Sequence, residues 1–156
     1  MLLRFGLTNF TSFRDATELS FVATAQADEP TWRLPSRHTS HGVLPVLGVW
    51  GANAAGKSNL LNGLMTLRHF VRDSFTEFQP SEPLPWFPFA MHTGDEAPPT
   101  QMDLDLLVGD TRYHYGFRYR ASGFTEEWLY AWPKNRRVVL FHRDHSRGDP
   151  WYFGPS

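Results

Sequence analysis

The sequence predicts an α/β chain, α+β in appearance, in which a strand, loop and helix near the middle are joined to an antiparallel sheet behind them. Three observations predict this. A continuously apolar run at residues 46–50 stops at Gly51, apolar residues recur at helical spacing after Lys57, and beyond residue 100 the hydrophobic period changes to two. The chain has 156 residues, 41% hydrophobic and 15% aromatic, which is enough for a globular core and excludes a disordered chain. It has no cysteine, so disulfide frameworks and thiolate metal sites are excluded, and a reducing cytoplasm is the expected compartment. No export leader opens the chain and no stretch is long and apolar enough to cross a bilayer as a helix, so no membrane contact is expected.

Taken in order, residues 1–25 hold two short strand patterns, LRFGLTNF and TELSFVAT, separated by the turn-like SFRDA, and a β-hairpin is the simplest arrangement. Residues 26–45 contain three prolines and no periodicity, as expected of a loop. Residues 46–50 predict a strand buried on both faces, because every second-position alternation is missing. A helix should run over 57–78, with Leu60, Leu64, Leu67, Val71, Phe75 and Phe78 on its inward stripe, which closes a strand, loop and helix unit over 46–78. Six of the twelve prolines then fall in residues 79–100, which excludes regular structure there. Over 101–153, QMDLDLLV, TRYHYGFRYR, FTEEWLYAW and RRVVLFH predict successive antiparallel strands, turning at Gly109-Asp110, at residues 121–123 and at residues 133–135.

Between the predicted strand and the predicted helix lies Gly51-Ala52-Asn53-Ala54-Ala55-Gly56-Lys57-Ser58, which fits GxxxxGK[ST] at every required position and in the required context. With 12 Gly, 2 Lys and 22 Ser plus Thr in the chain, about 0.002 chance matches are expected, so a fortuitous glycine loop is the poorer explanation. Small residues let the backbone fold back so that successive amides and the positive end of the helix dipole point at phosphate. Lys57 is the candidate catalytic residue, reaching the β and γ phosphates. Ser58 is the candidate ligand for Mg²⁺, which keeps most of its waters and needs few protein groups. Gly51 to Gly56 would contribute mainly backbone, and Asn59 follows on the first turn. ATP and Mg²⁺ are therefore the expected cofactors.

Together with LLRFGLTNFTSFRDATELSF at the start, and with PFA at 88–90, TRYHYGF and TEEWLYAWP downstream, this motif resembles the amino-terminal lobe of ABC-type P-loop ATPases of the RecF, SMC and OLD-like branch, a group that includes many bacterial defence ATPases described as AAA-family. The resemblance implies a P-loop NTPase core of ABC-ATPase type with an antiparallel β-subdomain, and hairpin residues Asn9 and Ser12 beside the nucleotide. It implies hydrolysis at the interface of a self-associated dimer or with a partner ATPase subunit, in DNA-linked or anti-phage defence work, with an effector protein as a further partner. Members often carry Lys or Arg after the Asn-Phe pair; here that position is Thr11, with Arg14 nearby. A Walker B strand, a glutamine lobe and a signature motif are not recognisable, so residues 1–156 read as the incomplete amino-terminal portion of one such domain, inactive in hydrolysis by itself. Leu106-Leu107-Val108-Gly109-Asp110 imitates a Walker B end but lies in an alternating strand. The non-enzymatic alternative is a nucleotide-sensing interaction module; a small-molecule kinase fits less well.

Weaker signals have plainer explanations. Charge is split, with 7 Lys/Arg against 12 Asp/Glu in residues 1–110 and 8 against 4 in residues 111–156, so DNA contact through the basic carboxy-terminal third is an open expectation. TRYHYGFRYR is better explained by one aromatic core face and one solvated basic face than by a nucleic-acid platform. Glu126 and Glu127 are adjacent on a strand and must point to opposite faces. His38-x-x-His41 and His142-x-x-His145 lack partners suited to a metal site.

Overall fold

The computed structural model describes residues 1–24, 38–39, 41–79, 81–92 and 97–155, the side chain of residue 75 excepted. Its strands are β1 (Leu2–Thr8), β2 (Thr17–Ser20), β3 (Thr100–Val108), β4 (Thr111–Arg120), β5 (Gly123–Trp132), β6 (Val138–Asp144) and β7 (Trp151–Tyr152), with one α-helix, α1 (Lys57–Glu77), among the described residues. All seven strands form one sheet in the order β2-β1-β3-β4-β5-β6-β7, and every neighbouring pair is antiparallel. The architecture is mixed α/β, a mostly antiparallel sheet with α1 on one face.

The period-two pattern after residue 100 produces β3 to β6 at the expected places, with turns at Gly109-Asp110 and Ala121-Ser122 and a single 3-10 turn at Pro133–Asn135. The short β7 was not expected; Trp151 and Tyr152 pair with Arg143 and His142. The amino-terminal hairpin does not stand apart from these strands, because β1 pairs with β2 on one edge and β3 on the other.

On one face of the sheet, Phe5, Leu7, Met102, Leu104, Phe117 and Tyr119 form a continuous core with Leu60, Leu67 and Phe70 of α1. Phe70 is the hub, with its ring 4.8 Å from Tyr119, 5.6 Å from Phe117 and 5.5 Å from Phe124, all edge-on. The inward stripe of α1 therefore differs in part from expectation. Leu60, Leu64, Leu67 and Phe78 face the core as expected, Gly63 and Phe70 join them, the side chain of Phe75 lies outside the described residues, and Val71 is 56% exposed because it lies about 100° further round the helix than Phe70. Gly63 belongs to the stripe because a Cβ there would come within 3.0 Å of Leu7 Cδ2, so its absence lets the helix approach the sheet.

The strand expected at residues 46–50 does not form. The segment has no strand pairing, with Val46 77% and Trp50 86% exposed. A run apolar on both faces needs sheet neighbours on both edges. Here β1 already has both edges filled, and among the described residues no strand lies beside 46–50. Residues 81–92 and 97–99 carry no helix or strand, as their prolines require, yet they are anchored: Leu84 N donates to Ala121 O at 2.9 Å and Trp86 Nε1 to Thr100 Oγ1 at 3.0 Å. Most of the predicted loop over 26–45 lies outside the described residues.

The sheet's other face is built from charge. Arg4 on β1 binds Asp103 and, through Nε at 2.9 Å, Asp105 on β3, and Arg112 on β4 donates to Asp105 at 2.9 Å. Both aspartates are nearly fully buried. Burial pushes the Asp105 carboxyl up, but hydrogen bonds from His114, Arg4 and Arg112 outweigh it and hold the group far below the usual carboxylate range.

Candidate functional site

The loop after residue 50 turns back on itself before α1 begins. Ala55 N donates to Ala52 O at 3.2 Å, Ala54 has φ 63° and Gly56 has φ 87°, a left-handed conformation in which glycine is strongly favoured. Gly56 is also the N-cap of α1 and offers no side-chain cap, while Leu60 N donating to Gly56 O at 3.0 Å is the first helical bond. The amides at the start of α1 therefore lack intrahelical acceptors and sit at the positive end of the helix dipole. Lys57 folds over the loop, its Nζ donating to Gly51 O at 2.8 Å and to Ala52 O at 2.7 Å.

Ala54, Ala55, Gly56, Lys57, Ser58 and Asn59 line a concavity of about 310 Å³. Ser58 is exposed beside it. Gly51 and Ala52 contribute through the carbonyls that hold Lys57, whereas Asn53 is exposed at the turn and outside that lining. One basic side chain, uncapped amides and a hydroxyl converge here with no carboxylate among the described lining residues, and such a lining suits an anion with two or more charges.

The tip of the β1–β2 hairpin closes the site from the side. Phe10 and Phe13 exchange backbone hydrogen bonds at 2.8 Å, which brings Ser12 against the loop: its Oγ accepts from Asn59 Nδ2 at 3.1 Å. A Cβ on Gly56 would lie 2.9 Å from the same oxygen, so contact with the hairpin and backbone conformation both demand glycine there. Asn9, the other hairpin residue expected at the nucleotide, is 2% exposed and braces the irregular segment instead, accepting from Phe89 N at 2.9 Å and donating to Pro98 O. Thr11 N donates to Phe87 O at 2.8 Å. The aromatic stretch 86–91 thus comes to the site; long irregular segments often carry function, and four large apolar residues in six, WFPFAM, directly after a proline are the sequence signal that marks this part of residues 79–100.

The remaining candidates lie elsewhere. Asp110 sits in the β3–β4 turn, at the opposite end of β3 from Thr100, whose hydroxyl donates to Asn9 O at 2.6 Å. Glu126 and Glu127 do face opposite ways: Glu126 meets Arg118 at 2.8 Å and His142 at 3.0 Å, while Glu127 meets Arg143 at 3.0 Å and accepts from Tyr115 OH at 2.7 Å. Much of the basic carboxy-terminal third is therefore engaged, since Arg112, Arg118, Arg143 and Arg147 all pair with carboxylates. Among the described residues no group of three or more histidines and carboxylates is disposed to hold a metal ion, and no helix is long and apolar enough to cross a membrane.

A comparison with protein families matches residues 46–155 to the family described as "AAA domain, putative AbiEii toxin, Type IV TA system". A comparison with curated proteins finds no match. The family match runs from the segment before the glycine loop, through α1, to the end of the sheet, well over half of the chain, and the protein belongs to this AAA domain family.

Proposed function

We propose that the loop at residues 51–58 is a Walker A phosphate-binding loop and that the protein binds ATP with Mg²⁺ as the nucleotide-binding part of an ATPase. The observation that carries this reading is the left-handed, uncapped turn at Gly56 feeding directly into Lys57 and Ser58, with the lysine held across the loop by Gly51 and Ala52. Phosphate oxygens would accept from the free amides of the first helical turn, and Lys57 would turn part of its donor capacity from the two carbonyls to the β and γ phosphates. The donor set also fits Mg²⁺: Ser58 is an exposed hydroxyl at the loop's end, and this ion takes few protein ligands. Bound there, the ion would neutralise charge developing on the β and γ phosphates.

The finer reading is an ABC-type ATPase of the RecF, SMC and OLD-like branch, hydrolysing ATP between two subunits. Membership of a family described by a toxin of a type IV toxin–antitoxin system supports work in defence, with an effector protein as partner. A DNA-linked role would fall to Lys134 and Arg136, which are exposed on the 3-10 turn and just after it.

A second reading, a nucleotide-sensing module without hydrolysis of its own, is favoured by one observation. The buried carboxylates Asp103 and Asp105 are tied to arginines on the face opposite α1, and among the described residues no carboxylate lines the concavity. Water activation and transition-state charge stabilisation need such groups, whose loss typically costs about 10³ to 10⁵ in rate. Titration calorimetry with Mg-ATP and phosphate release by the same preparation test both readings. Binding that is lost in Lys57→Ala, with negligible turnover, is expected of this chain alone. Turnover that is robust and lost in Lys57→Ala would make the chain a complete enzyme and discard the sensing module.

A further inference from the structure

The concavity at the glycine loop does not stand alone. Asn59 is shared between it and a second, larger groove of about 800 Å³ running between the hairpin tip and the 86–91 segment, with Thr11, Ser12, Trp86, Phe87 and Met91 among its walls. The two differ in chemistry. The first offers a lysine, a hydroxyl and backbone amides; the second offers an aromatic ring and a thioether, with Phe87 55% and Met91 76% exposed. A neighbouring apolar groove of about 630 Å³ along α1, lined by Met65, His69 and Phe87, shares no residue with the glycine loop.

Two further features mark the wall of the larger groove. Thr11 Oγ1 is buried without a hydrogen-bond partner among the described residues, an arrangement that is unfavourable until a ligand supplies one. The backbone carrying it is strained as well: Thr11 has φ 47°, which a β-branched residue seldom adopts, and Asn9 has φ 53°. The strain persists because the tip is over-determined by the Phe10–Phe13 pair, by Thr11 N on Phe87 O and by Asn9 on Phe89 N. Strain held in this way concentrates at ligand sites, where it fixes a group in place before the ligand arrives.

We propose that this groove is the base subsite: the aromatic base of a nucleoside triphosphate lies against Phe87 with an edge at the Thr11 hydroxyl, and Asn59 marks where sugar and phosphates pass to the glycine loop. The inference rests on the phosphate-binding reading of that loop and adds to it a specificity wall drawn from the proline-rich segment. A molecule with a polyanionic end and a flat aromatic end matches a polar concavity that opens into an aromatic one. Stacking on Phe87 buries a ring face that is now in water, and it requires no new charge.

The test separates base from phosphate by measuring two ligands, Mg-ATP and Mg-tripolyphosphate, on wild type, Phe87→Ala and Thr11→Val. Phe87→Ala removes the ring and keeps the carbonyl that holds Thr11 N; Thr11→Val keeps the β-branched shape and removes the hydroxyl. Phe87→Ala is expected to weaken Mg-ATP about tenfold and leave Mg-tripolyphosphate within about twofold, with Thr11→Val showing the same split at smaller size. Equal Mg-ATP affinity in wild type and Phe87→Ala, or parallel loss of both ligands, overturns the base subsite while the phosphate loop stands. A folded wild type that binds neither ligand overturns the phosphate loop itself.

Discussion

The sheet and the glycine loop meet the same physical demands in opposite ways. Between β1 and β5, buried charges are answered within the chain: Asp103 and Asp105 by Arg4 and Arg112, and apolar surface by the Phe70 cluster. Around the loop the demands are left open, with no side-chain cap on the helix-start amides and no partner for Thr11 Oγ1 among the described residues, and with Val46 and Trp50 in water. The difference separates what holds the protein together from what it offers to another molecule. Substitutions in the sheet should act on stability and spare ligand affinity, and substitutions of exposed loop side chains should do the reverse, with Gly56, which touches both, between them.

The largest effect on stability is expected from Phe70→Ala, which removes the ring packed against Phe78, Phe117, Tyr119 and Phe124 and should cost about 3–5 kcal/mol in denaturant unfolding. Asp105→Ala comes next, at about 3 kcal/mol, because it leaves Arg4 and Arg112 facing a buried gap. Its pH dependence sharpens the point. The folded-state pKa of Asp105 is depressed, so its contribution is fully present above the unfolded carboxylate range and is lost as pH falls below about 4. Wild type should lose stability faster than Asp105→Ala on acidification through that window. Nearly parallel acid transitions would remove the ion cluster from the stability account.

Gly56→Ala should have a mixed outcome. It places a Cβ at φ 87° and against Ser12 Oγ, so about 1–2 kcal/mol of stability and most of the Mg-ATP affinity should go together. Gly56→Ala binding Mg-ATP as tightly as wild type would show that the hairpin contact is unnecessary for the site. The smallest effects should come from Val71→Ser and Trp50→Ser, each within about 0.5 kcal/mol, since both side chains are exposed. A loss of several kcal/mol from Trp50→Ser would mean that residues 46–50 are buried in solution.

How much of this was legible in the sequence follows from the range over which each signal acts. The strands after residue 100 are written in alternation, which depends only on one half-buried sheet, and they appear where expected. The loop motif and the start of α1 are local as well, and a chain-independent geometry explains both. The inward stripe was misjudged by one residue because Val71 fits the apolar spacing as well as Phe70 does; only the rings of Phe117, Tyr119 and Phe124 across the interface decide between them. Residues 46–50 mislead for a similar reason, since apolarity on both faces states a need for neighbours without naming them. The Asp103–Asp105–Arg4 cluster and the Thr11–Phe87 contact join residues 76 to 101 positions apart, and no spacing rule links such partners.

The most direct test of the separation between fold and site is the thermal melting of wild type and Lys57→Ala with and without Mg-ATP. Among the described residues Lys57 Nζ bonds to the loop carbonyls of Gly51 and Ala52 alone, so both proteins should melt at nearly the same temperature without nucleotide. At a ligand concentration about 100 times the dissociation constant, wild type should gain about 2.7 kcal/mol and melt several degrees higher, and Lys57→Ala should not move. Equal upward shifts in the two folded proteins would contradict the account, because nucleotide would then bind without the lysine and the loop would not be the phosphate site.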